Sequence, residues 1–169
     1  MKRPFVIAIV AAITLQVGVL VGMVGAAALP LLTGTEINVR TVTVDPRDLF
    51  RGNYARLGYD FSMIDADELP TQPTVRVGEV VYVTLQQAED GLHEFASASL
   101  QKPESGLFLR GRVEYSTGEQ YSVLYGIEAY FASYEEAIEL ERQLRDRAVA
   151  TLAVSADGRA RLKSIQAGR

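Results

Sequence analysis

From Pro4 to Thr35 the chain carries no charged residue. No other feature narrows its folding options so far. The run reads PFVIAIVAAITLQVGVLVGMVGAAALPLLTGT. A helix needs roughly 20 apolar residues to cross a bilayer core, and Phe5 to Leu29 exceeds that. Thr14 and Gln16 are its mild polar members, and a helix satisfies its own backbone hydrogen bonds in lipid. The sequence therefore predicts a cytoplasmic tip and transmembrane signal anchor over 1–35, ending at Leu29-Pro30 to Gly34. A separate head follows over 36–169.

The rival reading is a cleaved signal peptide. Lys2 and Arg3 make a basic start, and Ala26-Ala27-Ala28 offers an A-x-A site. The apolar core of such peptides is usually about 7–15 residues, much shorter than this one, so an uncleaved anchor is expected. Lys2 and Arg3 precede the span, while the first basic residue after it is Arg40. The Lys/Arg rule then keeps the N-terminus in the cytoplasm and sends the head to the outer side.

The head holds all 21 Asp and Glu but, with Lys2 and Arg3 left behind, only 15 of the 17 Lys and Arg, a net of about −6. Such a surface is a poor match for nucleic acid or anionic headgroups. There is no cysteine, hence no disulfide, thiolate nucleophile or lipoprotein attachment. That fits a periplasmic domain without requiring one.

Within the span, Gly18, Gly22 and Ala26 recur every four residues on one helix face. Such a small-residue stripe lets a second helix approach closely. The plainer reading is that Gly and Ala are common in spans and match by chance.

Beyond the span the pattern changes to period two. Ile37–Val44 reads as a strand, and Ala55, Leu57, Tyr59 and Phe61 alternate with polar residues as a half-buried strand. Ile64–Thr74, with its Asp, Glu and Pro, reads as an exposed connection. Val75–Gln86 and Leu92–Leu100 form strands around the turn Glu89-Asp90-Gly91. Leu107, Leu109, Val113 and Tyr115 share a face with Gly111, which marks a bulge or a close approach. Gln120–Tyr125, Ala148–Val154 and Ala160–Ile165 complete the strands. Ser133 and Glu136 make a capping box for one helix, with Ala137, Leu140, Leu144 and Ala148 as its apolar stripe. The fold class is α+β: one N-terminal transmembrane helix, then a mainly antiparallel β domain with one packed helix.

The densest chemistry lies in VDPRDLFRGNYARLGYDFS, Val44 to Ser62. Asp45 suits an N-cap with Pro46 at the first helical position. Asp48 suits the exposed amides of that turn, and Gly52 suits its left-handed end. Arg47, Arg51 and Asn53 are not needed for the turn. Later, Glu128 lies in YGIEAYF among Tyr125, Gly126, Ile127 and Tyr130. Read as a strand, Glu128 shares a face with Tyr130, and a partly buried carboxylate needs a partner. Arg47 or Arg51 is the expected partner, in an ion pair that locks the connector onto the sheet. The alternative is a ligand site shared with Tyr54 and Tyr59.

GNYARLGY, Gly52 to Tyr59, resembles the motif that names the GDYXXLXY protein family, with Tyr54, Leu57 and Tyr59 in place. DPRDLFR and YGIEAYF resemble that family too, as does the layout of one N-terminal span and a β-rich domain. Asn53 stands where the motif has Asp. That weakens any role as metal ligand or base, but preserves backbone bonding in a turn. The resemblance implies an accessory protein of the kind encoded near polytopic membrane proteins. It implies no reaction.

Catalytic patterns are not found. His93, the one histidine, follows a turn and is expected on an exposed strand. One His without Cys cannot build a zinc site. No G-x-S-x-G, GxGxxG or P-loop occurs. Asp60, Asp65, Asp67 and Glu68 lack the spacing of an EF-hand loop. RGNYARLGY before a Val-rich strand faintly resembles membrane-anchored signal peptidases, but the needed Ser and Lys are not at matching positions. The expectation is a non-catalytic accessory or scaffold protein in the bilayer, with a polytopic membrane protein as partner and no cofactor, metal or nucleic acid. The second expectation is an extracytoplasmic ligand-binding or sensing domain that uses the Arg47–Tyr59 surface.

Overall fold

A computed structural model of the chain describes residues 3–42, 54–69, 75–131 and 148–166. Helix α1 runs from Arg3 to Thr33. Its apolar segment Val6–Ala28, 23 residues with none of it buried, is about 34 Å long at 1.5 Å per residue. One N-terminal helix is thus long and apolar enough to span a hydrocarbon core of about 30 Å. Thr14 returns its hydroxyl to the Val10 carbonyl at 2.9 Å, so this polar side chain is satisfied inside the helix. The helix passes Pro30 and ends three residues later at Thr33. Proline removes one amide but its φ is helical, and apolar spans tolerate it.

The head is built on one sheet of nine strands among the described residues. Its strands are β1 (Thr35–Val42), β3 (Gly58–Tyr59), β4 (Met63–Asp65), β5 (Val80–Gln87), β6 (His93–Ser99), β7 (Phe108–Ser116), β8 (Gln120–Leu124), β10 (Val149–Val154) and β11 (Ala160–Gln166). They are ordered β11-β10-β1-β6-β5-β7-β8-β4, with β3 also paired to β1. Two further strands, β2 (Tyr54–Arg56) and β9 (Ala129–Phe131), pair with each other. Pairing is antiparallel except for the Val39↔His93 bridge between β1 and β6. With α1 in front, the fold is α+β. The expected helix from Ser133 lies outside the described residues.

Period-two alternation sets the inner face. Ile37 and Val39 of β1 stand opposite Leu152 and Ala150 of β10. Val81 and Val83 of β5 stand opposite Gly111 and Leu109 of β7. Val113 meets Val123 of β8. All are buried and, Ala150 and Gly111 aside, each large side chain contributes about 1.5–3 kcal/mol. The turns fall at Gly91, Gly118 and Gly158, each with positive φ, the conformation that glycine adopts at no steric cost.

Four expectations are corrected. The strand expected from Val75 begins at Val80, because Gly78 turns the chain at φ +85°. The stretch from Ala55 to Ser62 is not one strand. It breaks at Leu57 and winds into a 3-10 turn over Asp60–Ser62, so that Leu57, Tyr59 and Phe61 all reach the core. The connection from Ile64 is not uniformly exposed. Ile64 lies in β4, paired with β8, and Ile64 and Leu69 are buried, since apolar residues among acidic ones still seek the interior. Tyr115 leaves the inner face because the β7–β8 register shifts between Val113 and Tyr115, and it is exposed.

Candidate functional site

The two halves of the motif region form a zipper. Strand β2 pairs Tyr54 with Phe131, Ala55 with Tyr130 and Arg56 with Ala129. The Leu57 amide extends the pairing to the Glu128 carbonyl at 2.7 Å. Beyond it, side chains take over. The Tyr59 hydroxyl donates to the Ile127 carbonyl at 2.8 Å. In return, the Tyr125 hydroxyl donates to the Phe61 carbonyl at 2.7 Å. Each segment thus holds the backbone of the other.

The rings pack as tightly as the hydroxyls bond. Tyr59 and Phe61 stack with centroids 5.2 Å apart, and Phe61 meets Tyr125 edge-on at 5.3 Å. Such contacts add about 0.5–1.5 kcal/mol beyond burial. Leu57, Tyr59 and Phe61 are 1–2% exposed, so these residues face the core. Gly111 makes room for the cluster. A Cβ there would stand 2.3 Å from Val123 Cγ1 and 2.9 Å from Tyr125 Cε1.

Glu128 does not continue a strand as expected, because Tyr125–Glu128 is a turn, with Gly126 at φ +79°. The Glu128 carboxylate folds back and accepts the Tyr125 amide at 2.6 Å and the Gly126 amide at 2.9 Å. Those two bonds account for both carboxylate oxygens. The expected partners Arg47 and Arg51 lie outside the described residues, as do Asp45, Asp48, Gly52 and Asn53. Tyr54 and Tyr130 are placed only as strand positions, in β2 and β9.

Electrostatics around Glu128 suits this structural use. Burial, and then the Glu128 charge, push the ionisation of Tyr59 and Tyr125 well above the usual value of 10.0. Both phenols therefore stay protonated and remain donors. A phenol that holds its proton so firmly and is already bonded to a carbonyl is a poor general base.

Other sequence candidates are dispersed. Asp65 accepts the Gln120 side-chain amide at 2.7 Å. His93, expected exposed, is half-buried at the start of β6, and its buried Nδ1 has no hydrogen-bond partner among the described residues. Gly18, Gly22 and Ala26 lie on α1, and a Cβ built at either glycine would meet nothing within 4 Å outside the adjoining helix backbone. Sequence reading missed Phe61 as the centre of the aromatic cluster. It also missed a cleft lined by Arg110, Arg112 and Arg159. The spacing of Arg110 and Arg112 marks one strand face, but nothing in the sequence joins Arg159 to them.

No curated protein and no solved structure matches the chain. The family model described as "GDYXXLXY protein" matches residues 16–165. That covers the second half of the apolar helix and the whole zipper, and the chain belongs to the GDYXXLXY family.

Proposed function

We propose that this protein is a membrane-anchored, non-catalytic accessory subunit that holds its β-rich head beside a polytopic membrane protein. In this reading α1 is a retained signal anchor, the N-terminus is cytoplasmic and the head is extracytoplasmic. One observation carries it: Val6–Ala28 is a 23-residue, predominantly apolar segment with none of it buried in the protein. That segment therefore presents an exposed surface to lipid and to other helices. The open face of Gly18, Gly22 and Ala26 admits a second backbone closely. The motif residues support the same reading, since Leu57 and Tyr59 are used inside the head and not on a reacting surface.

The test is purification of the full chain from native membranes in mild detergent. A polytopic protein should copurify in fixed stoichiometry, and Gly18→Leu with Gly22→Leu should release it. A protein that runs alone, or a mature chain that begins near residue 29, would sink the proposal. Protease protection in intact cells checks the side on which the head lies.

A further inference from the structure

Strand β8 ends at Leu124, opposite Arg112, and the first half of β7 extends past it. The turn between β10 and β11 fills that gap, with the Arg110 amide donating to the Gly158 carbonyl at 2.7 Å. The contact is close enough that a Cβ on Gly158 would lie 3.1 Å from the Arg110 nitrogen and 2.6 Å from the Phe108 ring. It brings Arg159 to Arg110 and Arg112. The three arginines line one cleft of about 460 Å³, together with Gly111, Tyr125 and Gly126.

The cleft's charge runs against the head's composition. The head is acidic overall, yet three arginines line this cleft and, among the described residues, no Asp or Glu does. Arg110 is half-buried and has no side-chain hydrogen bond or ion pair among the described residues. Arg112 is held by one bond, from Nη1 to the Gly78 carbonyl at 2.8 Å. Arg159 leans on Asp157 at 3.1 Å, with both side chains well exposed, and such pairs contribute little. A guanidinium has five N–H donors, so most donors of the three have no partner among the described residues. Convergent arginines of this kind suit the planar, bidentate recognition of a phosphate or carboxylate.

The location narrows the source. Ala160, Val154 and Thr35 stand in one row across β11, β10 and β1, and α1 ends two residues before Thr35, at Thr33. A neighbouring cleft of about 530 Å³ is lined by Thr33, Phe108, Ala156 and Lys102, whose Nζ stands 5.8 Å over the Phe108 ring. We propose that Arg110, Arg112 and Arg159 form a binding site for a phosphate-bearing anion at the root of the apolar helix. Its source is the headgroup of an anionic phospholipid or a soluble phosphate ester.

The test uses the full chain in phosphatidylcholine nanodiscs. In one arm inorganic phosphate is titrated against chloride at constant ionic strength. In the other, phosphatidylglycerol is added to the disc. A ligand that binds the folded state raises the melting temperature. A rise in at least one arm is expected. A rise with phosphatidylglycerol alone assigns a lipid headgroup, and a rise with phosphate assigns a soluble anion. R110Q/R159Q should melt near the wild type without anion and lose the rise. R110K keeps the charge but not the fork, and should bind about tenfold more weakly; it carries the test should the double variant fail to fold. The site is overturned if neither anion raises the melting temperature, or if the rise persists unchanged in the variants.

Discussion

The Tyr59 hydroxyl donates to the Ile127 carbonyl across 68 positions of sequence, at 2.8 Å. With the reciprocal bond from Tyr125 to Phe61, it makes the motif a clasp between two distant segments. Replacing Tyr59 with Phe keeps the ring stack and leaves a buried carbonyl without its donor. The expected loss is about 1–3 kcal/mol in denaturant unfolding. A variant as stable as the wild type would show that the clasp contributes nothing.

The same pair sets an alkaline limit. In the folded protein both phenols ionise well above 10.0, whereas the unfolded chain's phenols ionise near it. Above that pH the folded state holds more protons than the unfolded one. The stability from this pair is complete below pH 10 and falls as pH rises beyond it, by up to about 1.4 kcal/mol per unit for each phenol. Melting temperature measured from neutral to alkaline pH should show this decline, and Tyr59→Phe should make it shallower.

Glu128 closes the turn that carries the second half of the clasp. Glu128→Ala removes the acceptor of two backbone amides, those of Tyr125 and Gly126, and should cost about 2 kcal/mol. Glu128→Gln keeps one acceptor oxygen and should cost less. Equal losses in the two variants, read by chemical denaturation, would contradict the turn-closing role.

Gly111 is required for space, not for backbone freedom. In Gly111→Ala the new methyl meets Val123 Cγ1 at 2.3 Å, and overpacking of this kind costs about 1–3 kcal/mol. Val123→Ala removes the obstructing atom. The double variant should therefore lose less than the sum of the two singles, a coupling that a double-mutant cycle measures directly.

Because Val6–Ala28 shares no core with the sheet, deletion of residues 1–34 should leave one cooperative unfolding transition in the head. Calorimetry of the shortened and full chains should show that transition within a few degrees of each other. A head that aggregates or melts without cooperativity would mean that α1 supports the fold.

Much of this was legible in the order of residues. An uncharged run from Pro4 to Thr35 permits few structures other than a long apolar helix. Alternation along β1, β5 and β7 marks which side chains turn inward. Gly91 stands in the turn that the sequence marks, because left-handed backbone selects glycine. The sequence also marked Leu57, Tyr59, Tyr125 and Glu128 as unusual, but it read Glu128 as a strand residue awaiting an arginine. The turn at Gly126 lets the carboxylate accept amides of its own segment, and the expected arginine partners lie outside the described residues.

What the residues alone determined is local: helix or strand, inward or outward, turn or run. Tertiary structure alone decided the meetings. It placed Tyr59 on Ile127, Tyr125 on Phe61 and Arg159 beside Arg110. A period of two names the face of a strand but not its neighbour in the sheet. Partners far apart in the chain are chosen only when the sheet assembles and every buried backbone group must find its donor or acceptor.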